Sequence, residues 1–330
     1  MKKLIYTFVL ITLSLCFFAC AKTEPTVWLT DYQAALAQAK EEDKAVLLFF
    51  SGDSWDGMST DAKERIYNTD KFLKAISKDF IAVNIDIDLK EANESEDEEL
   101  SDEKVTKYML AQEFAVQMMP DFFIVSSYGQ VVQAITYNPD EQTDAKKVAK
   151  LYTKHAKRAK KLSQLAQQLE TTEGFDRVKI INDIYDNTAQ SHRFTIEDLG
   201  LEVCELDPEN KSGYLGKFKL QQAYPQAMMS FSEGDLDTAV NSFLQLTDGD
   251  LLSKPEKQEA FYCAAYLYAM SGAEYINEAK ANLQKAYDID PKSEQSKEFL
   301  KMIEALDAEL TEETTEDFIE ENSAEQKDDN

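Results

Sequence analysis

The stretch from Ala45 to Ser59 constrains the fold more than any other. Its first six residues, Ala45–Phe50, are all apolar and are followed by the polar pair Ser51-Gly52. A run of this length is too short for a free-standing helix and is typical of a strand that is buried on both faces. A polar turn comes next, and the residues from Ser59 onward have the pattern of a capped helix start. The sequence therefore predicts a buried strand, a tight turn and a helix in direct succession.

This succession, with Trp55 in the turn, resembles the thioredoxin fold, in which that tryptophan precedes a Cys-x-x-Cys pair. Asp56 and Ser59 stand at the two cysteine positions here. A second anchor is Pro120, which follows a predicted helix and leads into an apolar run, as the cis-proline of that family does. A cis bond is plausible there because X–Pro bonds adopt it at small cost. The resemblance covers about residues 27–160 and implies an α/β thioredoxin-like domain.

The same resemblance implies a redox site whose chemistry is missing. A thioredoxin-type reaction needs a thiolate that attacks a disulfide and a second thiol that resolves the mixed disulfide. Neither Asp56 nor Ser59 can do this, and Phe49 stands where the family keeps a buried aspartate. We therefore predict no catalytic residue in this turn, and we take Trp55 and Met119 as candidates for a binding surface.

Other catalytic and metal-binding chemistry has little support in the sequence. The two histidines, His155 and His192, lie on predicted helices in basic or polar surroundings, and no His/Cys cluster has the spacing of a metal site. No glycine-rich phosphate loop and no Gly-x-Ser-x-Gly motif is present. Asp53 and Asp56 could form a carboxylate pair for acid–base work, although a solvated turn is the favoured interpretation. We expect no metal and no cofactor.

An acidic segment, residues 88–104, holds nine carboxylates and two lysines. Carboxylate clusters can bind Ca²⁺, but this segment lacks the glycine and the alternating spacing of a calcium loop. The favoured interpretation is a solvated insertion.

Residues 1–19 have the pattern of a signal peptide. Two lysines precede the 15-residue apolar run Leu4–Phe18, which is too short to span a membrane comfortably. The end of this run resembles a bacterial lipobox, in which Cys20 would be lipidated and residues 20–26 would form a tether. Phe17 departs from the leucine that usually lies three residues before that cysteine.

The alternative cleavage site is Ala19-Cys20-Ala21, which fits an ordinary signal peptidase. Two locations therefore stay open. The lipobox predicts a lipid-anchored protein of the bacterial cell envelope, on the periplasmic side or the outer surface. The alternative predicts a soluble periplasmic or secreted protein. In either case Cys204 and Cys263 could form a disulfide, although two separate buried thiols are the favoured interpretation.

A basic connecting helix is predicted at residues 146–169. Apolar side chains recur along it and give one apolar stripe. Eight of the sixteen residues from Lys146 to Lys161 are Lys or Arg, in a chain whose net charge is −27. This cluster could contact anionic lipid or another polyanion. It could also neutralise the acidic remainder of the same molecule, which is the favoured interpretation.

Residues 170–308 are predicted to be helical and are similar to tetratricopeptide (TPR) repeats. The first unit places its small, turn and aromatic residues as that family does, at Ala227, Gly234, Ala239 and Phe243. The array is irregular, because corresponding positions of two units lie 40 residues apart where the period is about 34. The resemblance implies stacked helix pairs, and Tyr262 and Tyr266 are candidates for their binding face. The alternative, which stays open, is that both rings pack on a neighbouring helix.

The acidic tail, residues 309–330, is predicted to be disordered. The strongly negative net charge argues against nucleic acid as a partner. We expect an α/β thioredoxin-like domain (27–145) and an all-α TPR-like domain (170–308) in an exported, non-enzymatic protein with a protein or peptide partner. The alternative function is that of a thiol-disulfide oxidoreductase or chaperone-type protein of the thioredoxin family, which would borrow a thiol from a partner.

Overall fold

The structure is a computed structural model that describes residues 27–88 and 102–308. The predicted signal peptide, the tether, the acidic tail and most of the acidic segment lie outside these residues. The chain divides into two compact units. The first takes the described residues up to 168 together with residues 184–195. The second takes residues 169–183 and the described residues from 196 onward.

The first unit is an α/β domain. Its elements in chain order are α1 (Tyr32–Glu41), β1 (Ala45–Ser51), α2 (Gly57–Ala62), α3 (Asp70–Ile76), β2 (Phe80–Asp86), α4 (Asp102–Glu113), β3 (Asp121–Val125), β4 (Val131–Thr136) and the start of α5 (Ala145–Thr171). A π-helical turn, Lys63–Tyr67, continues α2. Thr69 caps α3 through its side chain, which accepts a hydrogen bond from the Phe72 N–H.

The four strands form one sheet in the order β2-β1-β3-β4. β1 lies in the middle, parallel to β2 and antiparallel to β3, and all seven of its residues are buried. The prediction of a strand buried on both faces is confirmed. Because Phe50 near the end of β1 pairs with Asp121 at the start of β3, the turn after β1 and the loop before β3 meet at the same end of the sheet.

Aromatic side chains cover both faces of this sheet. On one face the ring of Phe122 stacks on Phe49, with 4.3 Å between ring centres, and on Tyr67, with 4.2 Å. Successive residues of a strand point to opposite faces, so the neighbours Phe50 and Phe123 pack on the other face, where both contact Phe114. The domain therefore has two apolar layers with the sheet between them.

Residues 184–195 pack onto this domain although they follow the first part of α6 (Asp176–Asn187). The Ala189 N–H donates to the carbonyl of Val131 at 2.7 Å. His192 is buried, with Nε2 3.1 Å from the Phe114 carbonyl oxygen and its ring edge-on to Phe123. Burial lowers the pKa of His192 below its usual value. The prediction of polar or basic surroundings for this histidine is wrong, because tertiary packing places it against the aromatic core.

The second unit is helical. After the first part of α6 it contains α7 (Glu197–Leu206), α8 (Leu215–Ser232), α9 (Leu236–Leu244), α10 (Lys254–Ser271), α11 (Ile276–Ile289) and α12 (294–308). Alanines at the contacts of these helices are fully buried, among them Ala227, Ala239 and Ala264. Small side chains there let neighbouring helices approach closely. None of the helices in the described ranges combines the length and apolar character needed to cross a membrane.

We predict that Asp121→Asn stabilises the protein above pH 6. Asp121 is only 9% exposed, and burial raises the pKa of its carboxyl from 3.8 to about 6, while a hydrogen bond from the Phe122 N–H opposes this. The folded state therefore binds more protons than the unfolded state between about pH 4 and pH 6, so this group favours folding more as the pH falls through that window. At pH 7.5 the variant should gain on the order of 1 to 3 kcal/mol, measured by urea unfolding. The gain should shrink toward pH 4, and a gain independent of pH would contradict this account.

Candidate functional site

The candidate site is the turn between β1 and α2, together with the loop that precedes β3. The Met119–Pro120 peptide bond is cis, as predicted. Pro120 is buried, and it comes directly before Asp121, which pairs with the end of β1. The backbone register thus brings the proline loop to the same end of the sheet as Asp56 and Ser59.

Asp56 and Ser59 form a closed hydrogen-bonded pair. The Asp56 carboxylate accepts hydrogen bonds from the N–H of Met58 at 3.2 Å, the N–H of Ser59 at 2.8 Å and the Ser59 hydroxyl at 2.5 Å. The buried Ser59 Oγ in turn accepts from the Gly52 N–H at 3.1 Å. Asp56 is therefore the N-cap of α2, and the helix begins at Gly57. The prediction that the helix begins at Ser59 is wrong, because the carboxylate three residues earlier satisfies the free N–H groups.

A lysine that sequence reasoning missed lies beneath this turn. The Lys63 ammonium is 2.5 and 2.6 Å from the two oxygens of the Asp53 carboxylate and 3.1 Å from the Ser51 hydroxyl. It also lies 5.2 Å from the centre of the Phe49 ring. The turn therefore contacts a cation that is held in an ion pair with Asp53, and the neighbouring Phe49 stands where the resemblance implies a buried aspartate. The position of Lys63 near the turn could have been predicted from its spacing, because Ser59 and Lys63 are one helical turn apart on the same face.

Trp55 is fixed in the turn by two contacts. Its indole lies so close to Gly52 that a β-carbon added there would come within 2.5 Å of the ring. Its Nε1–H donates to the Ile87 carbonyl at 2.7 Å. The side chain nevertheless remains 39% exposed. The result is a rigid aromatic group that presents part of its surface to solvent.

Exposed methionines accompany Trp55 at this end of the sheet. Met58, in the first turn of α2, is 46% exposed, and Met118, from the proline loop, is 59% exposed. Met119, the residue predicted for this surface, is partly buried and packs against the core. Methionine is flexible and polarisable, and exposed apolar groups of this kind are typical of surfaces that adapt to different partners. Met58 and Met118 were missed because residue type alone does not separate exposed methionines from packed ones.

The two tyrosines predicted for the repeat face have different surroundings. Tyr262 is partly buried and stacks on Phe299, with 5.9 Å between ring centres. Tyr266 is 50% exposed, and the exposed Met270 follows it one helical turn later. The structure thus places Tyr262 in a packing contact and leaves Tyr266 at the surface.

Cys204 and Cys263 are both free thiols. Cys263 is buried against the hydroxyl of Tyr224, and burial raises the pKa of its thiol to about 12. Cys204 is half-buried, and its sulfur accepts a hydrogen bond from the Gln222 amide at 3.3 Å. Because the thiolate is the nucleophile, Cys263 has almost none of the reactive form at neutral pH. Within residues 27–88 and 102–308, no group of three or more His, Cys, Asp or Glu side chains could hold a metal ion.

Comparisons with known proteins give the family context of both units. A family model described as thioredoxin-like matches residues 27–125, and one described as an uncharacterised protein C-terminal domain matches residues 214–312. An uncharacterized protein of Treponema pallidum (strain Nichols) is 25% identical over 183 residues, which are 56% of this chain and 60% of that protein.

Two further matches concern thioredoxin-related proteins. The thioredoxin-related protein DsbJ of Chlamydia pneumoniae is 30% identical over 64 residues, 19% of this chain and 18% of that protein. The chain thus spans 60% and 18% of the lengths of the two relatives. A solved structure, the DsbH oxidoreductase, matches 39% of this chain and 84% of its own at 18% identity and a TM-score of 0.33. The predicted thioredoxin-like α/β domain is confirmed by the family match, and a mostly helical region follows it.

We predict that Asp56→Ala costs about 1 to 2 kcal/mol of stability, because it removes the N-cap of α2 and leaves the Ser59 hydroxyl without its acceptor. Asp31→Ala is the matched control, since Asp31 caps α1 through a single exposed hydrogen bond to the Ala34 N–H. It should cost less in the same urea titration. Equal losses of stability for the two variants would argue against a stabilising role of the hydrogen-bonded Asp56–Ser59 pair, which we call the clamp.

We predict different effects of Tyr262→Ala and Tyr266→Ala on the melting temperature. The first removes a ring that stacks on Phe299, so the melting temperature should fall, by about 2 to 4 °C for each kcal/mol of packing lost. The second removes a half-exposed ring and should change the melting temperature little. Differential scanning calorimetry measures both. A fall for Tyr266→Ala as large as that for Tyr262→Ala would mean that both rings hold the helices together.

Proposed function

We propose that this protein is an exported, lipid-anchored protein that binds other polypeptides and carries out no thiol chemistry of its own. In this proposal the thioredoxin-like domain contributes the surface formed by Trp55, Met58, Met118 and Met119. The helical domain contributes TPR-like repeats whose exposed face includes Tyr266.

The clamp between Asp56 and Ser59 is the observation that carries the proposal. Both side chains are engaged with each other and with backbone N–H groups, and Ser59 is buried. The sequence has no cysteine between residues 21 and 203, so no thiol of this domain can take the place of the missing pair. The high pKa of Cys263 argues against that residue as a substitute nucleophile.

The exposed surface beside the clamp has the chemistry of a polypeptide-binding site. Trp55 offers a ring whose orientation is already fixed by Gly52 and by the Ile87 carbonyl. A rigid aromatic anchor loses little conformational entropy on binding. Met58 and Met118 can adjust their rotamers around it. Together these residues favour the binding of polypeptide segments with apolar side chains, without requiring one particular sequence.

A second candidate function is that of a thiol-disulfide oxidoreductase or chaperone-type protein of the thioredoxin family. It is favoured by one relative, which is named as thioredoxin-related. Without a cysteine at position 56 or 59, such a protein would have to use a thiol that its partner supplies.

Export and anchoring rest on the sequence. Residues 1–19 have the charged start and the apolar run of a signal peptide, and Cys20 falls at its end. The relation to Dsb-type proteins agrees with an extracytoplasmic location. One lipidated cysteine with a second membrane-directed signal would suffice for stable anchoring.

Binding of an unfolded polypeptide without cysteines tests the proposed function. The purified protein should bind a reduced and carboxymethylated unfolded protein, and Trp55→Ala/Met58→Ala/Met118→Ala should weaken binding by about tenfold or more, measured by fluorescence anisotropy. Val105→Ala/Met109→Ala, which removes exposed apolar groups from α4 of the same domain, is the control and should bind as the unchanged protein does. Equal binding by the triple variant would contradict the proposed surface.

An insulin-reduction assay separates the two candidate functions. We expect no turnover above that of buffer, because neither Asp56 nor Ser59 can exchange with a disulfide. Turnover that survives Cys204→Ser/Cys263→Ser would contradict the redox-inactive interpretation and favour the oxidoreductase.

Metabolic labelling tests the anchor. Labelled palmitate should enter the protein in cells, and Cys20→Ala should abolish the incorporation. A mature protein that begins at Lys22 would instead establish cleavage by ordinary signal peptidase.

A further inference from the structure

A basic groove of about 740 Å³ lies along α5 in the first unit. Its cationic lining consists of Lys154, Lys157, Arg158, Lys160 and Lys161. The groove also contacts Asp79, which precedes β2, whereas the opposite end of β2 contacts the Trp55 turn through Asp86. A strand of seven residues spans about 20 Å. The groove is therefore a separate feature from the candidate site described above.

The positive charge of this groove is not balanced by its neighbours. Five cationic side chains line it, against the single carboxylate of Asp79. Lys160 approaches Asp43 only at 3.9 Å. In the part of the chain that the structure describes, the side-chain ammonium groups of Lys154, Lys157 and Lys161 form no hydrogen bond and no ion pair. Contacts among the described residues therefore give little support to the interpretation that this cluster neutralises the acidic remainder of the molecule.

Arg158 contributes a cation that is fixed in place. Its guanidinium donates to the Asn187 carbonyl at 2.9 Å and to the Val132 carbonyl. These acceptors hold the group without neutralising it, since a carbonyl carries no net charge. The pKa of the neighbouring His155 is lowered mainly by burial, and the positive charges of Lys154 and Arg158 lower it further.

The net charge of −27 belongs to the whole chain and does not by itself set the electrostatic potential in the groove. At physiological ionic strength, charges separated by more than about 8 Å are largely screened from each other. Among the described residues, the charges that line the groove are the five cations and the one carboxylate of Asp79, so the lining itself is strongly positive. Like charges held this close repel one another, so a bound anion would stabilise the arrangement.

We propose that this groove binds a small anion that carries several phosphate groups. A volume of this size is typical of small-molecule sites. Phosphate groups concentrate more than one negative charge in little space, and lysine ammonium groups bind them as point charges. The amide of Gln164 adds a neutral donor to the lining. The same chemistry occurs in free polyphosphates and in phosphorylated lipid headgroups.

Isothermal titration with inorganic tripolyphosphate tests the proposal directly. The full-length protein should bind it with one-to-one stoichiometry, and the affinity should fall as the salt concentration rises. Lys154→Ala/Lys157→Ala/Lys161→Ala should weaken binding by about tenfold or more. The matched control is Lys211→Ala/Lys297→Ala/Lys301→Ala, which removes three exposed lysines from the other unit and should leave the affinity unchanged.

A charge-conserving variant separates binding from folding. Replacing the same three lysines by arginine should retain most of the affinity. Absence of tripolyphosphate binding at physiological salt would overturn the proposal, as would equal weakening by the groove variant and its control. Tighter binding of polyglutamate than of tripolyphosphate would also overturn it and would assign the groove to an acidic polypeptide.

Vesicles distinguish the two sources of the ligand. If the source is a lipid headgroup, the protein should bind vesicles of phosphatidylcholine that contain a phosphorylated phosphatidylinositol. The variant that lacks Lys154, Lys157 and Lys161 should bind these vesicles more weakly. Binding of tripolyphosphate without vesicle binding would assign the groove to a free compound. Either result supports the phosphate chemistry, and plain phosphatidylcholine vesicles serve as the reference.

Discussion

Complete burial of β1 is the constraint on which the rest of the first unit depends. A strand whose successive side chains all avoid water must be covered on both faces and paired on both edges. β2 and β3 supply the edges, while stacking of Phe49 on Phe122 and packing of Phe50 against Phe114 supply the faces. Once β1 is held in this way, the direction in which the following turn leaves the sheet is fixed. The position of the candidate site is therefore a consequence of the core.

The turn itself shows how polar groups can replace a reactive pair without destabilising the fold. A carboxylate and a hydroxyl at the two positions satisfy each other and three backbone N–H groups. The Lys63 ammonium donates hydrogen bonds to the Asp53 carboxylate and to the Ser51 hydroxyl. Buried polar atoms without partners would each cost on the order of 1 to 3 kcal/mol. This network avoids that cost and holds the turn in one conformation.

Sequence reasoning located the elements well and the side-chain environments less well. The apolar run of β1 and the proline before β3 carry local signals, which depend on composition and on backbone preference. Other features depend on which neighbours the folded chain supplies. They are the Lys63–Asp53 ion pair, the burial of His192, and the different surroundings of Tyr262 and Tyr266. Nothing in the residue type of two tyrosines four positions apart tells which of them meets Phe299. Periodicity in the sequence shows which residues share a face of a helix, whereas the tertiary contacts decide whether that face is packed or exposed.

The path of the chain has a consequence for inheritance. The α/β unit includes residues 184–195, which follow residues 169–183 of the other unit. Within this segment the Ala189 N–H donates to the Val131 carbonyl, and the His192 ring packs edge-on against Phe123. A gene fragment that ended with α5 would lack these contacts and would leave an aromatic part of the core open to water. A recombination event that transferred the α/β unit to another protein would therefore have to include α6 and the residues up to 195.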